Sequence, residues 1–239
     1  MRRSLFALLP LVALLANSAP ARADDENPTA GGKKMSEWVT MLRESENGRL
    51  RKAAVSNLGQ IASDNSTNNK LVKDIVTMVG KSLRNDSSAG VRAESARALA
   101  RVAADLLKAR EADVGSVVVD LSEGLRTEKD SEVRYEEALA LQRFGDKAKA
   151  AVDALAVALG DADPKVKAAA ATALGHIGKD AKRATDDLLP LTKSDDPDVK
   201  RAVAFALGRV EPDDPGKVSE AISKFTTDKD EQTREDCGA

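Results

Sequence analysis

One segment of this chain returns 33 residues later, and that return limits what the chain can fold into. Residues Val166 to Gly175 read VKAAAATALG, residues Val199 to Gly208 read VKRAVAFALG, and each copy follows an Asp-Pro pair, Asp163-Pro164 and Asp196-Pro197. A period of this length marks a supersecondary unit too small to bury its own apolar face. Such units stack into an array instead of closing one globular core. Upstream, Val133-Arg134 opens a third copy 33 residues earlier, and Val91-Arg92 opens another 42 residues before that, with a longer loop or helix end around residues 103–113. Leu50-Arg51 opens the first, which makes five copies.

Inside a copy the spacing is helical. Val166, Ala169, Ala170, Ala173, Leu174 and Ile177 recur at three- and four-residue steps, which places them on one side of a 3.6-residue helix. Most of them are alanine, so neighbouring axes can approach closely without aromatic filler. Asp163 and Asp196 suit the N-cap, with Pro164 and Pro197 at the first helical position. Gly145 and Gly178 suit the left-handed residue that ends a helix. Before each of these helices lies a second, more apolar one. Its stripes run through Val39 and Leu42, then Leu71, Ile75, Val76, Val79 and Leu83, then Val114, Val117, Val118, Leu121 and Leu125. Ala151, Leu155 and Leu159 follow, then Ala184, Leu188 and Leu191, and a last helix carries Val218, Ile222 and Phe225.

The pattern D-P-x-V-[KR]-x-x-A-x-x-A-L-G-x-I-G resembles HEAT repeats. Its short period and alanine-rich second helix are most similar to the phycobilisome-lyase-type (PBS lyase) HEAT-like subfamily. Residues 151–212 carry the likeness well, 130–150 fairly, and 36–110 only through the apolar pattern. The resemblance implies an all-α fold, a right-handed α-α superhelix (HEAT-like, armadillo-like solenoid) of about five helical-pair repeats. It also implies that the second helices line the concave face.

The termini indicate where the chain works. Arg2 and Arg3, an apolar run from Leu5 to Ala16, and Ala21-Arg22-Ala23 before Asp24 form a secretory signal peptide over residues 1–23. The run is too short to span a bilayer and contains Pro10, so no membrane span is expected after cleavage. Residues 24–35 read as a flexible leader, 36–226 as the repeat domain and 227–239 as an acidic disordered tail. The localisation expected is periplasmic or secreted. Cys237, the only cysteine, lies in the tail and reads as an incidental thiol able to pair only with another chain.

Catalytic chemistry finds little to work with. The chain has one histidine, His176, so no multi-histidine metal site can be assembled and neither metal nor cofactor is expected. Deoxyhypusine hydroxylase, an enzyme built of HEAT repeats, holds iron through His-Glu motifs, and this chain has no His-Glu. The three arginines of the signal, removed from 37 bases, leave 34 against 39 acids, which argues against a nucleic-acid surface. The function expected is a non-enzymatic, monomeric, exported protein-binding scaffold. The alternatives are an auxiliary or regulatory subunit of an exported enzyme complex and, behind it, a lyase-like enzyme.

Alignment of the copies gives the positions that point away from the buried stripe. They are Lys52, Ser56 and Gln60, then Ala93, Arg97 and Arg101, then Tyr135, Leu139 and Arg143, then Ala168, Thr172 and His176, then Arg201, Phe205 and Arg209. Tyr135, Leu139 and Phe205 are larger apolar residues than a solvated position requires, and such residues anchor partners. Arg97, Arg101, Arg143, Arg201 and Arg209 bias the face positive, which favours an acidic peptide or surface. Thr172 and His176 complete the candidate partner-binding set. A second basic row, Arg51, Arg92, Arg134, Lys167 and Lys200, reads as structural: an acid stands six residues before three of its members, at Asp86, Glu128 and Asp161, and HEAT-like repeats use such pairs to tie copies together.

Overall fold

A computed structural model describes residues 27–109 and 111–223. The signal peptide, residues 24–26 of the leader, Phe225 and the tail with Cys237 lie outside the described residues, as does the side chain of Ile222. A two-residue antiparallel pair, β1 (Thr29–Ala30) and β2 (Lys33–Lys34), comes first. Helices follow throughout: α1 (Met35–Glu44), α2 (Gly48–Asp64), α3 (Asn69–Asn85), α4 (Ala89–Ala109), α5 (Glu111–Thr127) and α6 (Ser131–Phe144). Beyond them come α7 (Val152–Ala158), α8 (Pro164–Ile177), α9 (Thr185–Leu188), α10 (Pro197–Leu207) and α11 (Pro215–Ser223). The chain is an all-α solenoid. Helices α2, α4, α6, α8 and α10 form one layer in which each packs on the next, and α3, α5 and α7 pack in series in the other.

The stripes read from the sequence are the core. All six positions of α8 from Val166 to Ile177 are buried, as are Leu71 to Leu83 of α3 and Val114 to Leu125 of α5. The caps follow the chemistry of short polar side chains. Asn47, Asn68, Asp130, Asp163 and Asp196 each accept a hydrogen bond from a backbone N–H of the turn that follows. Gly145 and Gly178 end α6 and α8 at φ +54° and +74°. Their ψ values of −132° and −139° send the chain straight into a 3₁₀ turn and not into the left-handed helical region.

Four expectations are corrected. Residues 27–34 do not run as a loose leader: the β1–β2 hairpin folds back over the first repeat, where Trp38 Nε1 donates to the Ala30 carbonyl at 2.9 Å. This covers the indole, which is buried. Leu50, expected in the stripe, is 45% exposed, because no preceding copy lies against it. Ala93, placed among the outward positions, is buried. The first helices of the last two repeats are broken: α7 follows a 3₁₀ segment (Gly145–Ala151), and α9 sits between two more (Gly178–Ala184, Leu189–Lys193). Pro190 has no N–H to continue α9, and Leu191 is only half-buried.

Neighbouring repeats are tied by a ladder of bidentate ion pairs. Arg51 grips Asp86, Arg92 grips Glu128, and Arg134 grips Asp161, each base reaching the acid of the following copy at 2.6–3.0 Å. Each guanidinium also donates to a carbonyl of its own preceding loop, at Ser45, Asp86 or Glu128. Burial alone would raise the three carboxyls. Hydrogen bonds from the arginines and from loop N–H groups outweigh it and hold all three below their ordinary values. The ladder ends there, because Ser194 occupies the place of the acid in the fifth copy.

Candidate binding surface

The outward side of the second-helix layer carries the residues singled out above, and the structure divides them into two halves. Around α4 and α6 the positive charge is cancelled. Arg97 lies 2.6 Å from Glu132, 2.8 Å from Glu136 and 3.5 Å from Glu94. Arg101 donates to the Ser56 carbonyl at 3.2 Å and stands 3.9 Å from Glu94. Arg201, on α10, pairs with Asp198 one turn earlier. Glu94 and Glu136 are themselves buried, so this network is part of the packing between copies as much as of any surface.

The other half gathers at the C-terminal ends of α6, α8 and α10. Arg209 lies over the Phe205 ring, 4.9 Å from its centroid, and His176 meets the same ring at 5.2 Å with the planes tilted by 46°. Gln142 and His176 approach at 3.3 Å between Nε2 atoms. An amide N–H donates to the imidazole Nε2 when the ring proton sits on Nδ1. Burial, then the charges of Arg209 and Arg143, hold His176 below its ordinary value, which agrees with a neutral ring. Among the described residues neither Arg143 nor Arg209 has a carboxylate partner. Both are exposed.

Beside this cluster a groove of about 260 Å³ runs between α6 and α8 toward the start of α10. Tyr135, Leu139, Ala168 and Thr172 form its floor, and Gln142 joins it to the basic cluster. Tyr135 and Leu139 are half-buried, each packed partly on the core and partly open to the groove. Thr172 spends its hydroxyl on the Ala168 carbonyl at 2.8 Å and so presents its methyl. The geometry offers an apolar floor, rimmed by Lys165, Asp196 and Asp198, next to two guanidinium groups without a carboxylate partner. Among the described residues no group of His, Cys, Asp and Glu is arranged to hold a metal ion.

The five basic positions stand out in the sequence more plainly than the acids that neutralise three of them, Arg97, Arg101 and Arg201. Glu94 and Glu136 occupy stripe positions where other copies carry Ala53, Ala169 and Ala202, a departure visible in the aligned copies. No helix of the described residues is long and apolar enough to cross a membrane.

Comparisons with known proteins agree with this architecture. Residues 118–208 match the HEAT repeats family. No curated protein matches the chain in sequence. Among solved structures it is similar to an engineered protein at 26% identity and a TM-score of 0.64, over 85% of this chain and 93% of that one. It is similar to a designed armadillo repeat protein in complex with the peptide (KR)4 at 20% identity and a TM-score of 0.67, over 86% and 97%. It also superposes on Kap121p at 18% identity and a TM-score of 0.70, over 84% of this chain and 22% of that chain. The fold is the armadillo/HEAT solenoid.

Proposed function

We propose that the chain is exported on its N-terminal signal and acts as a monomeric, non-enzymatic scaffold that holds an acidic segment of a partner protein. The segment lies along the second-helix layer, the concave side if the HEAT likeness carries over. One observation supports this most: on that layer every arginine near α4 is neutralised by protein carboxylates, whereas Arg143 and Arg209 are left unpaired beside the Tyr135–Leu139 groove. Two exposed guanidinium groups that share a face with the apolar floor of the groove suit an aliphatic or aromatic side chain in the groove with a neighbouring carboxylate held at Arg143 and Arg209, clear of Asp196 and Asp198 on the rim. A solenoid neighbour in complex with a peptide supports the ligand class. That peptide is basic, and the residues here favour the opposite charge.

Selection of a displayed peptide library against the mature chain tests the reading. Expected winners carry Asp or Glu adjacent to an apolar residue, and Arg143→Ala with Arg209→Ala weakens them about tenfold or more at unchanged helicity. Winners without acidic residues, or binding indifferent to both substitutions, would overturn it. Export is checked separately by the N-terminus of the protein recovered outside the cytoplasm, which should be Asp24.

A further inference from the structure

The third repeat breaks the apolar pattern at a position with no part in the surface above. Counted from the residue that opens each second-helix copy, the fourth following residue is Ala54, Ser95, Ala170 or Val203 in four copies and Glu137 in the third. All five are buried, and Glu137 is 1% exposed. Its Oε2 has no hydrogen-bond partner. A buried carboxyl oxygen left unpaired costs free energy that alanine would avoid. The carboxyl leans over Gly124 of α5, where a Cβ would collide with Oε1. A side chain at position 124 would expel it.

Glu137 and Gly124 wall a cavity of about 470 Å³ that opens to solvent at the loop edge between the second and third repeats. The arginines around it are already engaged: Arg84 with Asp120, and Arg92 with Glu128 at 2.6 Å. Glu123 stands on the exposed rim with Lys129. The unmet demand in the cavity is for hydrogen-bond donors that also carry positive charge, and the wall offers too few uncommitted oxygens for a divalent ion.

We propose that this cavity binds an organic cation, an alkylammonium or guanidinium end group, with the Glu137 carboxylate, which the bare backbone of Gly124 accommodates, as its counter-ion. The site is separate from the Arg143–Arg209 cluster and stands or falls independently of it. Such a group enters with its alkyl stem toward the rim and its donors on Glu137. In the empty cavity, burial first and the charge of Glu128 second push Glu137 up to about 8, against the pull of Arg92 and Arg134. The carboxyl is then protonated at neutral pH, so capture of a cation at pH 7 must release close to one proton.

Calorimetry of the mature chain with butylammonium and butylguanidinium, run at pH 7 in two buffers of different ionisation enthalpy, tests this. Butanol and butyrate serve as controls. Saturable binding of the cations alone, with about one proton released per ligand and none above pH 9, is the expected result. Glu137→Gln should weaken it at least tenfold. Absence of saturable binding, binding without proton release, or equal binding to Glu137→Gln would overturn the proposal. If that variant does not fold, ¹³C spectra of glutamate-labelled wild type replace it: one carboxyl titrating near pH 8 must move to lower pH when butylammonium is added, and no movement refutes the site. Blocked tripeptides with a central Lys or Arg separate the sources. Their binding assigns the site to a partner's side chain, and binding of the free amines alone assigns it to small amines.

Discussion

At the scale of a residue, Glu137 and the ladder carboxyls pull the pH dependence of stability in opposite directions. Glu137 titrates at about 8 in the fold against 4.5 ordinarily, so between these values the folded chain holds a proton that the unfolded chain has lost. Its contribution is intact below 4.5, falls away as the pH rises to 8, and is flat above. Glu137→Gln removes that slope. Calorimetric melting at pH 5 and pH 8 should show the variant gaining on wild type by a few kcal/mol between the two; a gap that does not change would mean the carboxyl is solvated. Asp86, Glu128 and Asp161 titrate below their ordinary 3.8, 4.5 and 3.8, so their support is present above those values and fails as acid carries the pH through the lower folded ones. In the sequence, Glu137 was legible only as a carboxylate where copies carry small or apolar residues. That it faces a cavity came from the packing of α5 against α6.

Among elements, the repeated Leu-Gly is a packing device. Gly175 lies inside α8, and a Cβ there would stand 2.6 Å from the Phe205 ring and 3.0 Å from the Ala206 Cα. The glycine lets α8 and α10 approach until the Phe205 ring covers its backbone, which also aims that ring at His176 and Arg209. Gly175→Ala improves local helix propensity by about 1 kcal/mol yet should destabilise the chain by about 1–3 kcal/mol through overpacking. Urea unfolding checks the sign: a stabilised variant would show that the helices slide apart at no cost. The broken first helices of the last repeats belong to the same scale. Helical spacing at Ala184, Leu188 and Leu191 promised one helix, and Pro190 divided it.

For the whole molecule, stability is a sum of repeats and the interfaces between them. The β1–β2 hairpin and Trp38 close one end of the array, and α11, with Val218 buried, lies at the other. Three ladder rungs hold the first four repeats together, and none reaches the fifth. Native-state hydrogen exchange should therefore find α10 less protected than α4, α6 and α8, with opening free energies that rise inward. Uniform protection across all second helices would mean that the array unfolds as a single unit and that the rungs do not set its order.

The sequence by itself determined the architecture: a 33-residue period, one apolar stripe per helix, Asn and Asp caps, and acids placed to meet arginines of the preceding copy. Each of these is written in local spacing, where a helix converts sequence distance directly into direction. Only the tertiary structure decided which charges remain for a partner. Arg101 and Arg143 occupy equivalent helical positions one copy apart, yet Arg101 reaches the Ser56 carbonyl of the preceding copy and stands near Glu94, whereas Arg143 lies close to His176 with no carboxylate partner. Pairing across a stack depends on how far one helix is shifted against the next, and close packing sets that shift through side chains 30 or more residues apart.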